Sequence, residues 1–224
     1  MLVMDIVFVT DFVCPYCLVA KEALAQALKE TGLEARIRLC PMELTEEPAR
    51  QVDTYHDEKR RAGYQVLEEP ARQLGLDMKL PPAVVPRPYT RLAFEGWHMA
   101  EENGLGEVYS DLIYKAYFID EKDIGDLDVL TGSAKKAGLD KEAFRRALIT
   151  GRYSEKEKEA CAYARKVLQV KSIPAIYLNG RKVELSAFTK EEMCRILLQE
   201  KERADREGAG EEDGQGASGG GSGR

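Results

Sequence analysis

The chain has 224 residues, 44% of them hydrophobic, enough for one large domain or two small ones whose core needs no disulfide staples. A formal net charge of −6 without a basic stripe argues against a nucleic-acid partner. Five cysteines, an odd number, argue against a secreted disulfide framework, and no apolar run approaches the length of a membrane span.

Residues 2–9 read as a buried strand. They are too short for a secretory apolar region, carry Asp5 inside the run and have no basic segment before it, so a cytoplasmic location is expected. Cys17, Ala20, Leu24, Ala27 and Leu28 then recur at helical spacing until Gly32, and residues 34–39 alternate as a second strand would. The three elements make a βαβ unit. From residue 45 to residue 150 the strand signal gives way to helical patterns, interrupted near Pro70 and by Pro81, Pro82, Pro86 and Pro88. Helices are predicted over 89–103, 106–118, 126–137 and 140–149. Ser154 with Glu157 reads as a capping box opening a helix to about residue 168. Residues 175–178 and 181–185 flank Asn179-Gly180, a hairpin signal, because a type I′ turn needs positive φ at both positions. Thr189 with Glu192 reads as a second capping box for the last helix, and the charged, then Gly/Ser-rich residues 203–224 are expected to be a disordered tail.

The chemistry concentrates at Cys14-Pro15-Tyr16-Cys17, directly after the first strand and at the start of the first helix. Unpaired N–H groups and the positive end of the helix dipole stabilise a thiolate there, which makes Cys14 the attacking thiol. Cys17 lies one turn further in and can attack a mixed disulfide formed at Cys14. A Cys-x-x-Cys in a βαβ context is redox-active rather than zinc-binding.

These features, with the order strand, Cys-x-x-Cys helix, strand, helical block, helix, Ser172-Ile173-Pro174, hairpin and helix, resemble the DsbA family of thioredoxin-fold proteins. The resemblance is greatest to its FrnE-like branch, carried by Asp11-Phe12-Val13-Cys14-Pro15-Tyr16-Cys17, Pro41-Met42-Glu43-Leu44, Thr90-Arg91-Leu92-Ala93, Tyr117-Phe118 with Asp123-Ile124-Gly125-Asp126, and Ile173-Pro174-Ala175-Ile176. It implies an α/β, thioredoxin-like fold with an inserted all-helical domain: residues 1–44 and 150–202 form the thioredoxin-like part and 45–149 the insert. It also implies that Pro174 is cis beside the cysteines. Pro15, Tyr16, Ile173 and Pro174 would then contact substrate, with the Ile173 backbone binding an extended segment. The implied activity is thiol–disulfide oxidoreduction or disulfide isomerisation of a protein or small-molecule substrate. It needs no cofactor beyond the Cys14–Cys17 disulfide and leaves glutathione open as reductant. DsbA carries a histidine where this chain has Tyr16, and the Pro-Tyr pair is the glutaredoxin one, so an intermediate, glutaredoxin-like potential is expected.

Two alternatives remain. One is a glutathione-dependent transferase or 2-hydroxychromene-2-carboxylate isomerase; that group shares the insert but has serine at the position of Cys14. The other is a non-catalytic holdase that grips unfolded polypeptide between insert and core. No metal site is expected, because Cys40, Cys161, Cys194, His56 and His98 show no second paired spacing. Core packing is the expected role of Cys40, Cys161 and Cys194, and His98 is read as a core or surface residue of the insert. Asp11 is either a group that tunes the thiols or a solvated strand-end carboxylate, and residues 57–61 a solvated helix face. The sequence leaves the oligomeric state unassigned.

Overall fold

The computed structural model describes residues 3–214. Strand β1 (Met4–Thr10) leads into helix α1 (Pro15–Thr31), which ends at Gly32 in the left-handed region, φ 66°. Strand β2 (Ala35–Pro41) follows, parallel to β1. Seven helices come next: α2 (Glu58–Gln65), α3 (Glu68–Gln73), α4 (Arg91–Glu102), α5 (Gly106–Phe118), α6 (Leu127–Ala137), α7 (Lys141–Ile149) and α8 (Ser154–Ala162). A π-helical turn, Tyr163–Val167, extends α8. Strands β3 (Ala175–Leu178) and β4 (Arg181–Val183) then pair antiparallel, and helix α9 (Lys190–Gly214) follows. The sheet order is β2-β1-β3-β4, with β3 antiparallel to β1. Asn179 and Gly180 both adopt positive φ, as the hairpin signal requires.

Alternation along β1 divides the interior. Met4, Ile6 and Phe8 face a large core containing Leu24 of α1 and Ile196 and Leu197 of α9. Val9 joins Cys40, Ala164, Val170, Ala175 and Tyr177 on the opposite face. The large core continues without a break into the helical insert through Phe94, Tyr109, Ile113, Phe118 and Phe144. Insert and sheet therefore share one apolar interior.

The helical break expected near Pro70 lies at Val66 and Leu67, and Pro70 itself sits in the first turn of α3 where its missing N–H has no helical partner to lose. Three expectations need correction. Ser154 is the first residue of α8 and not its cap, and Glu157 is drawn into the interior instead of back to the helix start. At α9, Thr189 does accept from the Glu192 N–H, but the Glu192 carboxylate accepts from Ser186 N and Oγ, so only half the box forms. Residues 203–214, expected to be disordered, continue α9. Ion pairs at helical spacing, Arg203 with Glu200 and Glu207 and Lys201 with Asp205, support its charged stretch; the rest of the expected tail, 215–224, lies outside the described residues.

Candidate active site

The loop between β1 and α1 is fixed from the insert side. Phe12 stacks on Phe94 of α4 with ring centroids 4.3 Å apart and meets Tyr114 of α5 edge-on at 5.2 Å. Asp11 is fully buried, and its Oδ2 accepts the Leu44 N–H at 2.7 Å, so the reading of a solvated carboxylate does not hold. Burial pushes the Asp11 carboxyl above its ordinary value, against the lowering effect of the Leu44 N–H, Thr90 and Arg87. The Asp11 carbonyl accepts the Cys14 N–H at 3.0 Å. These contacts place Cys14 as the N-cap residue of α1, in extended backbone, with Pro15 beginning the helix.

Cys17 sits one turn inward, with its N–H bonded to the Cys14 carbonyl at 3.1 Å. Both residues are free thiols. Cys17 is fully buried; burial first, then the neighbouring Cys14, drives its pKa well above the ordinary thiol value. The Thr10 hydroxyl and the Asp11 backbone beside the Cys17 thiol oppose that rise. Thr10 Oγ1 in turn lies 2.5 Å from the buried Tyr114 hydroxyl. A chain of two hydroxyls thus supports the inner thiol.

The outer wall is made by the implied substrate residues. Ile173-Pro174 is cis, and the Ile173 carbonyl lies 4.0 Å from Cys14 Sγ. Pro15 is buried, while Tyr16, Ile173 and Pro174 are half-buried. Tyr16 donates from its hydroxyl to the Gly63 carbonyl of α2 at 3.0 Å and packs edge-on against Phe188. The start of the insert therefore reaches over the cysteine pair, and Cys14 is only 4% exposed.

The other cysteines stand apart from this wall. Cys40 is buried beneath the second sheet face, where burial pushes its thiol up to about 11, and Cys194 is half-buried on α9. Cys161 is buried on α8, its thiol donating to Glu157. His98 is buried, its Nε2 2.8 Å from Glu157 Oε2. Burial pushes the His98 pKa down and the Glu157 pKa up, each against the charged form. His56 is exposed beside Asp53. Residues 57–61 are exposed, and the Asp57 carboxylate caps α2 by accepting the Arg60 N–H.

The sequence does not mark Thr10, Gly63 or Tyr114 as parts of the site. Thr10 adjoins the motif, but nothing in the pattern of α5 distinguishes Tyr114 from an ordinary core tyrosine.

The model of the DSBA-like thioredoxin domain matches residues 5–193. The chain belongs to that family. YwbO, an uncharacterized protein of Bacillus subtilis (strain 168), is 34% identical over 171 residues, 76% of this chain and 84% of that one. Among solved structures, a probable DsbA oxidoreductase from Streptomyces coelicolor superposes with a TM-score of 0.72 at 23% identity, covering 88% of this chain and 89% of its own. The cytosolic disulfide reductase DsbM from Pseudomonas aeruginosa gives 0.67 at 19% identity, covering 89% and 99%. At these identities the two structures show the shared fold. No helix among the described residues is long and apolar enough to cross a membrane.

Proposed function

We propose that this DSBA-like protein is a thiol–disulfide oxidoreductase in which Cys14 is the attacking thiol and Cys17 the resolving one. The observation that carries the reading is the pair's geometry: Cys14 caps the N-terminus of α1 while Cys17 lies fully buried one helical turn behind it, its N–H bonded to the Cys14 carbonyl. In the reductive direction, the Cys14 thiolate attacks one sulfur of a substrate disulfide, forming a mixed disulfide and releasing the first thiolate. Cys17 then gives up its proton and attacks the Cys14 sulfur, releasing the second thiolate and leaving a Cys14–Cys17 disulfide. Two external thiols restore the dithiol; in the oxidative direction every step reverses.

Glutathione is the reductant this reading favours. DsbM, whose structure has also been solved with GSH, shares the fold, and the cover over Cys14 suits a small thiol better than a folded protein surface. Pro15, Tyr16, Ile173 and Pro174 would line the substrate. The two cysteines distinguish the chain from the serine-bearing glutathione isomerases, and a cytoplasmic setting and the FrnE-like branch complete the proposal.

A titration in graded glutathione buffers, with alkylation and mass spectrometry, tests it. Cys14 and Cys17 are expected to become protected together, with a midpoint of roughly −200 to −230 mV. That is about 90 mV below DsbA, or about 4 kcal/mol for the two-electron couple. An intact fold in which neither cysteine responds would refute the redox reading.

A further inference from the structure

We propose that Glu43, Glu157 and Cys161 form a buried site for a divalent, zinc-type cation, with His98 orienting the Glu157 carboxylate. One donor atom from each of the three lies within 4.8 Å of the other two. Cys161 Sγ and Glu157 Oε1 are 3.2 Å apart. With Zn–O near 2.0 Å and Zn–S near 2.3 Å, the edge of a tetrahedral site joining such donors is roughly 3.5 Å. The helical pair therefore has close to the spacing of two ligands of one ion.

The electrostatics point the same way. Glu157 is fully buried and Glu43 only 4% exposed. Among the described residues, Glu43 is paired with Arg91, whose Nε stands 3.8 Å from Glu43 Oε1 and which also meets Glu47, and the basic partner of Glu157 is His98. Glu43 Oε2 is buried with no hydrogen-bond partner at all. An unpaired buried acceptor is costly, and a cation satisfies it where the surrounding hydrogen bonds do not. The chemistry of the donors selects the ion: a thiolate with two carboxylates suits zinc, whereas an all-oxygen set would suit magnesium or calcium.

The site is also held from behind. His98 Nε2 meets the second Glu157 oxygen at 2.8 Å, the kind of outer contact that aims a metal-binding carboxylate. Arg165, in the π-helical turn after α8, donates to the Glu43 carbonyl at 2.6 Å and fixes the segment after β2. A cation here ties that segment to α8, and through His98 to α4. Glu157 and Cys161 stand four apart on α8, but the third donor comes from position 43, more than 110 residues away, so the sequence alone does not announce the site.

The test uses the full chain carrying Cys14→Ser and Cys17→Ser, since the redox pair can itself take a metal. After treatment with chelator, Co2+ is added and the thiolate-to-cobalt charge-transfer band recorded, with Zn2+ as competitor. One Co2+ per chain is expected, displaced by Zn2+. Cys161→Ser should abolish the band and Glu43→Gln should weaken binding at least tenfold. Absence of Co2+ binding by the folded chain, a band that survives Cys161→Ser, or unchanged affinity in Glu43→Gln would overturn the proposal and leave the cluster as a protonated hydrogen-bonded network. If Cys161→Ser fails to fold, Glu43→Gln decides the matter, because that residue lies in a connecting segment and the amide keeps its shape.

Discussion

In the proposed mechanism Cys17 must lose a proton in an environment that opposes the loss. Burial raises its pKa, and the Thr10 hydroxyl, backed by Tyr114, is the side chain that offsets the rise. A hydrogen bond to a charged group contributes about 1.5–3 kcal/mol. Thr10→Val should therefore slow resolution roughly tenfold or more, so that a mixed disulfide with glutathione persists in stopped-flow and mass-spectrometric assays. Equal lifetimes in the two proteins would remove Thr10 from the mechanism. The raised value also sets a pH dependence for the dithiol form. The folded state holds the Cys17 proton more tightly than the unfolded chain, so this contribution to stability is complete below the unfolded thiol value of 9.0 and is lost as pH rises beyond it. The melting midpoint of the reduced wild type should fall more steeply above that pH than that of Cys17→Ser.

At the scale of elements, α4, α5 and α7 meet where Gly96 leaves no room. A Cβ on Gly96 would collide with the Tyr109 hydroxyl and stand 2.5 Å from Phe144 Cζ. Both rings are fully buried and cannot swing aside. Ala ordinarily favours a helix over Gly by about 1 kcal/mol, but overpacking costs about 1–3 kcal/mol or more. Gly96→Ala is therefore expected to lower stability in denaturant titration; a gain would show that the helices can separate freely. The site feels this packing, because Phe12 rests on Phe94 of the same helix.

For the whole molecule, the continuous core predicts a single cooperative unfolding step. Trp97, the one tryptophan of the chain, lies on α4 in the insert and reports its packing, whereas far-ultraviolet circular dichroism reports the sheet and all helices. The two probes should give the same midpoint and slope in guanidinium. Separate transitions would mean that the insert folds on its own and that the shared core contributes little. Cooperation matters for function, since the Cys14 loop is held by β1 on one side and by the insert on the other.

The sequence by itself determined the place of the Cys14–Cys17 motif and most of the elements around it. Local signals carry that information: the apolar run before Cys14, the helical recurrence from Cys17 to Leu28, Gly32 at the helix end and Asn179-Gly180 at the hairpin all act within a few residues. It did not reveal what surrounds the motif. Thr10 meets Tyr114 across 104 residues, and Tyr16 meets Gly63 across 47. Glu157 carries the spacing of a capping box, yet packing turns it inward to His98 and Cys161. Asp11 has the look of a solvated loop carboxylate until the insert closes over it. Short-range periodicity fixes which backbone segments form, whereas burial and the pairing of polar groups depend on which distant surfaces meet. Only the tertiary structure decided those.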